Sequence, residues 1–166
     1  MICPEDSTKN NIAYVSIWSN YPDSLHIPLH HSARHAYFLM TGTTNYMQSR
    51  TPNGKIIAWY TDGTCDSLLL INPDTWWPIE QDYYIDSFAF PDQTDVPYRL
   101  HLKTGEITRH YATYTSIPGF TNRAIDGGAA TLLDMPLNPA KTIDHFTIQA
   151  TANEVIIGLM GITWIQ

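Results

Sequence analysis

The dipeptide Asp62-Gly63 lies between two apolar runs, residues 55–60 and 65–71, and that arrangement admits little except a β-hairpin. Both central residues of a tight hairpin turn need positive φ, which only Gly, Asn and Asp adopt cheaply. A second turn dipeptide, Asn53-Gly54, is expected to deliver the chain into the first of the two strands. Directly after the hairpin come Trp76-Trp77-Pro78-Ile79-Glu80-Gln81-Asp82-Tyr83-Tyr84, two aromatic pairs around a short acidic and amide segment. The region reads as strands that carry an aromatic and polar loop.

Strand signals recur along the whole chain. Residues 12–18 form a first β-rich run with apolar side chains on both faces. Residues 25–29 and 36–42 read as an antiparallel pair, since His30-His31-Ser32-Ala33-Arg34-His35 is too short a link to hold a helix with its own turns. A Pro- and Asp-rich break at 91–97 separates a β-rich stretch at 83–90 from a second hairpin, in which residues 98–102 and 106–111 flank Lys103-Thr104-Gly105. Residues 115–130 read as a long connection and 130–133 as a further strand. Two strands, 143–150 and 155–165, then flank a turn at Ala152-Asn153-Glu154, and the last is expected to sit centrally. No apolar 3.6-residue period lasts beyond two turns, and no repeat is present. The prediction is all-β: one two-sheet antiparallel β-sandwich over residues 11–166, after a poorly ordered tail at 1–10.

Composition agrees. A chain of 166 residues suits one domain, and at that size roughly 68–70% of the unfolded surface is buried, so packing alone supplies a core. Only 15% of residues are charged while 12% are aromatic, a balance that suits half-buried pleated surfaces. Nine basic against sixteen acidic residues give a net charge of -7, the wrong sign for tracking phosphates, so nucleic acid is not an expected partner. Cys3 and Cys65 offer no disulfide framework. Met1-Ile2-Cys3-Pro4-Glu5-Asp6 lacks the features of a signal peptide, and no run reaches the length of a membrane span, so the chain is expected to be soluble, away from membranes, and either cytoplasmic or cut from a larger protein.

Several segments together resemble a known modular domain. They are Asn20-Tyr21-Pro22-Asp23, Ala36-Tyr37-Phe38-Leu39-Met40, Thr43-Thr44-Asn45, Met47-Gln48-Ser49-Arg50, Tyr60-Thr61-Asp62-Gly63-Thr64 and the Trp-Trp-Pro run, joined later by Ile125-Asp126-Gly127-Gly128 and residues 155–163. The pattern resembles the C-terminal jelly-roll region, of the galactose-binding-like type, in large glycosidase-like proteins of polysaccharide-degrading gut bacteria. The resemblance implies a jelly-roll sandwich that accompanies a catalytic domain, in full-length relatives that are exported. It implies no activity for the module and no positional ligand set.

The residues suggest three sites of their own. Trp76, Trp77, Tyr83 and Tyr84 offer a platform for the apolar face of a sugar ring, with Glu80, Gln81 and Asp82 to meet its hydroxyls. The competing reading has the tryptophans plugging one end of the sandwich, and alternation along a strand would bury one and leave the other available. Asn45, Gln48 and Arg50 offer directional donors for vicinal hydroxyls or a carboxylate, or else satisfy the backbone of an ordered loop. His26, His30, His31 and His35 evoke a metal site, but Pro28 breaks any helix and only His26 and His30 share a strand face. No transition metal is therefore expected, and Asp92, Asp95 or Asp126 supply at most a structural calcium. Glu80 and Asp82, adjacent along the chain, are poorly spaced for glycoside hydrolysis. The expectation is a non-catalytic carbohydrate-binding or accessory module whose partner is a glycan or a catalytic domain or subunit. A docking domain and a small glycosidase stand as the alternatives.

Overall fold

Two antiparallel sheets pack face to face, one of six strands in the order β1-β12-β3-β10-β6-β7 and one of four in the order β2-β11-β4-β5. The computed structural model describes residues 8–18, 20–44, 48–83 and 96–166. The six-stranded sheet comprises β1 (Ala13–Val15), β3 (His35–Thr44), β6 (Tyr98–His101), β7 (Ile107–Thr108), β10 (Ala129–Pro136) and β12 (Val155–Ile165). The four-stranded sheet holds β2 (Ser24–His31), β4 (Pro52–Tyr60), β5 (Cys65–Ile71) and β11 (Ile143–Ala150), and a separate hairpin is made by β8 (Thr115–Ile117) and β9 (Thr121–Ala124). No helix among the described residues is long and apolar enough to cross a membrane.

The core follows from alternation. Ala36, Phe38 and Met40 of β3 point inward against Ile56, Ala58 and Tyr60 of β4 and Phe146 and Ile148 of β11, all buried. Phe38 and Phe146 meet edge to face at 5.2 Å and join the two sheets. Burial of Phe38, Met40, Ile56, Phe146 and Ile148 contributes about 1.5–3 kcal/mol each. Cys65 is free and exposed.

The hairpins around Asp62-Gly63 and Gly105 form as expected, with β4 against β5 and β6 against β7. Four expectations are corrected. Residues 25–29 and 36–42 do not pair, because β2 and β3 belong to different sheets. Their short link serves as an arch whose Ala33 is buried between the layers, and a link of that length fits a hairpin or an arch equally. Asn53-Gly54 makes no turn and lies inside β4. Gly54 is needed for close approach instead, since a Cβ there would sit 2.4 Å from Ile157 Cδ1. The first strand is only three residues long, ending where Ser16 Oγ donates to the Val155 carbonyl at 2.7 Å. The 115–130 connection contains the β8–β9 hairpin, whose exposed polar faces give no apolar signal. β12 lies between β1 and β3, although β1 covers only residues 157–159 of it. Of the stretch expected at 83–90, only Tyr83 lies within the described residues, and of the expected tail at 1–10 only residues 8–10 do.

Candidate functional site

The aromatic loop is pulled inside. Trp76 and Trp77 do face opposite sides, but they are 0% and 1% exposed, so neither presents a stacking platform and the expectation of one available indole is overturned. Trp76 enters the main core, where its Nε1 donates to Asn53 Oδ1 at 3.0 Å and its ring lies against Gly42. Trp77 packs edge to face on Tyr83 at 5.3 Å, within a second buried cluster that includes Val96. The cause is main-chain stitching. Ile79 N–H donates to the Gly42 carbonyl at 2.9 Å, Ala129 N–H to the Ile79 carbonyl at 2.9 Å, Ile125 N–H to the Glu80 carbonyl at 3.0 Å and Asp82 N–H to the Arg123 carbonyl at 3.0 Å. Bonded on both sides, the loop has no freedom to swing its rings outward.

The polar members of that loop are occupied in the same way. Gln81 is buried and its carbonyl accepts from Arg99 Nη1 at 2.5 Å, while Arg99 Nη2 donates to the carbonyls of Pro78 and Ala129 at 2.8 Å each. Asp82, fully buried, accepts from Tyr111 N–H at 3.1 Å and Tyr114 Oη at 2.7 Å and lies 3.6 Å from Arg123. Burial, helped by that bond to Asp82, raises the Tyr114 hydroxyl to about 12. Glu80 is half-buried, and desolvation pushes its carboxyl above the ordinary range. Tyr83 is buried with its hydroxyl donating to the Pro97 carbonyl at 3.1 Å. Gln81, Asp82 and Tyr83 thus act within the structure and are not presented to a ligand.

Of the second predicted group, Asn45 lies outside the described residues. Gln48 is half-buried, and its carbonyl accepts from Asn53 Nδ2 at 2.7 Å. Arg50 is exposed at a φ of 58°, its N–H donates to the Asn72 carbonyl at 2.6 Å, and its guanidinium lies 3.9 Å from Asp74. Through Asp74, Arg50 reaches the rim of a concavity.

That concavity is a cleft of about 480 Å³ whose walls include Tyr37, Asp74, Tyr98, Arg109 and Asp134, with Leu68 and Leu133 among the apolar lining. Among the described residues, β10 pairs with β6 only over residues 129–132. Beyond Leu132 the described residues provide no neighbour on that side, and a notch opens toward the edge of the other sheet. Tyr37 and Asp134 are directly opposed across β3 and β10, and Tyr98 opposes Leu132, so one face carries a ring, a carboxylate and a second ring. Tyr98 is 47% exposed, with the Arg109 guanidinium 4.4 Å from the ring centroid over one face. Arg109 Nε donates to the Val96 carbonyl at 2.9 Å, which fixes its place. Asp134 contacts His35 at 2.7 Å, and His35 stacks on Tyr37. The arrangement can accept hydroxyl protons, donate from a planar cation and offer ring faces within one cleft.

Sequence reasoning missed these five residues because each lies on a different stretch of chain. The one available signal was Asp134, a charge inside the apolar run of β10. The histidines do not converge: His30 lies 3.7 Å from Asp144, His31 stacks on Trp164, and His35 meets Asp134. Among the described residues, no group of three His, Cys, Asp or Glu is placed to hold a metal. Asp126 is held by Lys103 at 2.6 Å, which keeps its carboxyl below the usual range, while Asp92 and Asp95 lie outside the described residues. No protein-family model, no curated protein and no solved structure matches the chain.

Proposed function

We propose that this sandwich is a non-catalytic carbohydrate-binding module of the galactose-binding-like, jelly-roll kind, acting as an accessory to glycan degradation. The supporting observation is the notch beside β10, which brings Tyr37, Tyr98, Asp74, Asp134 and Arg109 to one cleft. Stacking on an exposed tyrosine supplies affinity, and the carboxylates and guanidinium choose among hydroxyl arrangements, because a site built for a hydroxyl rejects ligands that lack it. Arg109 in the cleft and Arg50 behind Asp74 stand against the carboxylates of Asp74 and Asp134, so charge is near balance at the site. A neutral, hydroxyl-rich ligand fits that balance better than a polyanion. The open mouth leaves much of a single ring in water, and affinity for one short sugar is weak.

The glycosidase alternative has two carboxylates in a cleft in its favour, but Asp74 and Asp134 are 46% and 47% exposed. That is a wet setting for a general acid, which needs burial to hold its proton at neutral pH. The docking alternative draws on Tyr14, Ile17 and Trp18, all exposed within one short stretch. The test is a screen of neutral and acidic glycans against the parent chain, Tyr98→Ala and Asp134→Asn, with folding followed by circular dichroism and hydrolysis followed in parallel. A neutral glycan bound by the parent and released at least tenfold more readily by both folded variants is the expected result. Absence of any hit, or binding untouched in both variants, would overturn the reading. Hydrolysis lost in Asp74→Asn and Asp134→Asn would replace it with the enzyme.

A further inference from the structure

Among the described residues, the last five residues of β12 have a strand neighbour on one side only. β12 pairs with β3 along Val155–Ile165 apart from a bulge at Met160, yet β1 covers its other side only at residues 157–159. Among the described residues nothing pairs with 161–165 on that side, and Thr163, Trp164 and Ile165 are exposed. Four other edges carry a guard or are short. β2 carries Pro28, which has no N–H to offer. On β5 the Thr75 hydroxyl accepts from Ile71 N–H at 2.8 Å and donates to the Leu69 carbonyl at 2.7 Å. The bare end of β10 holds Asp134 and Pro136, and β7 is two residues long. Residues 161–165, Gly-Ile-Thr-Trp-Ile, carry no charge and no proline, the usual devices that keep an edge from pairing.

We propose that this edge pairs with the same edge of a second copy of the chain, antiparallel about a twofold axis centred on Thr163. Ile162 and Trp164 share a face with their β3 partners Phe38 and Ala36, whereas Gly161, Thr163 and Ile165 share the opposite face with Leu39, Tyr37 and His35. In the centred register Trp164 lies across from Ile162 of the second copy, an aromatic and β-branched pair of the kind that stabilises ladders. Thr163 meets itself. Ile165 arrives at Gly161, beside a groove of about 340 Å³ lined by Asn11, Ile12, Met160 and Gly161. The segment is therefore complementary to itself in shape, and the twofold sets no like charges opposite each other. Five paired residues on each side make an interface below the area of stable dimers, so association is weak and depends on concentration. Two clefts on one dimer would raise the apparent affinity for a polymeric ligand.

The test combines sedimentation velocity, from micromolar to near-millimolar protein, with register-specific cross-linking in a Cys3→Ser, Cys65→Ser background. The parent is expected to shift from monomer toward dimer across that range, and Thr163→Lys, at an exposed position, to weaken the shift at least tenfold while its circular dichroism stays unchanged. Thr163→Cys is expected to oxidise to a covalent dimer, because self-paired Cβ atoms lie about 4.5–5.5 Å apart. Ile165→Cys is not, since its two copies stand about 13 Å apart along the strands. A parent that stays monomeric throughout, or cross-linking equal at the two positions, would overturn the proposal.

Discussion

Asn53→Ala probes the buried clip that fastens the tryptophan loop to the sandwich. Asn53 is fully buried, and its side chain accepts from Trp76 Nε1 at 3.0 Å while donating to the carbonyls of Gln48 at 2.7 Å and Thr51 at 3.2 Å. Truncation strands the buried indole N–H, at about 1–3 kcal/mol, and frees two carbonyls that water partly reaches, at about 1 kcal/mol together, so the sum is about 2–4 kcal/mol. For a chain of this size that lowers the melting temperature by roughly 5–15 °C. Urea unfolding followed by far-ultraviolet circular dichroism measures it, with an unchanged slope confirming that the native state is intact. Asn53→Asp is expected to be worse than alanine near neutral pH, because it keeps the acceptor for Trp76 but turns a carboxylate toward two carbonyls. In a double-mutant cycle, Trp76→Phe should cost about 1–3 kcal/mol less in the Asn53→Ala background than in the parent, as the stranded donor is then absent. A cost for Asn53→Ala below about 1 kcal/mol at constant slope, or strict additivity with Trp76→Phe, would refute the clip. The consequence for the cleft is indirect: the clip holds the turn that carries Arg50, and Arg50 faces Asp74 at the rim.

Gly42→Ala is expected to cost several kcal/mol or to prevent folding, because its Cβ would meet the Ile156 carbonyl oxygen and lie 2.9 Å from the Trp76 ring at a φ of 144°; soluble yield and melting temperature report it. For Glu80, burial raises the folded carboxyl above its unfolded value of 4.5, so the folded state retains the proton to higher pH, and the stability this confers is complete below that value and lost as pH rises through the folded one. Glu80→Gln should therefore raise the melting temperature near neutral pH and have little effect well below 4.5, which thermal melts across pH will show. Tyr83→Phe removes the hydroxyl that donates to the Pro97 carbonyl, and is expected to cost about 1 kcal/mol of stability and to weaken glycan binding several-fold without altering any group that meets the ligand. Equal binding by Tyr83→Phe and the parent in titration calorimetry would separate that bond from the cleft.

What the sequence made legible was period and punctuation. The β4–β5 hairpin, the turn at Gly105 and the long strands β11 and β12 all announce themselves through alternation and turn residues within a short window. Sheet assignment was less legible, because the short link around Ala33 fits a hairpin as well as an arch, and only the burial of Ala33 between layers decides. Asn53-Gly54 shows the limit of dipeptide reasoning: in β4 the glycine admits Ile157 and the asparagine serves a tryptophan twenty-three residues onward. The cleft could not be read at all. Its chemistry depends on β6 beginning opposite Leu132, a fact of register between strands some thirty residues apart.

The loop that drew attention in the sequence still bears on the cleft, by support instead of contact. Trp77 and Tyr83 form one buried cluster with Val96. Tyr83 holds the Pro97 carbonyl, and Arg109 holds the Val96 carbonyl from the other side. Residues 96 and 97 line the cleft and lead directly into Tyr98, so the buried rings determine where the exposed ring stands. Arg99, next along β6, points the opposite way and ties the same loop through the carbonyls of Pro78 and Gln81. Alternation along one strand thus places Tyr98 toward the cleft and Arg99 toward the loop. A site needs a shell that holds its contact groups within a fraction of an ångström, and large rings with few torsions lose little entropy in that role. The concentration of tryptophan, tyrosine and buried charge at residues 76–83 is what a rigid wall requires beside an otherwise open notch.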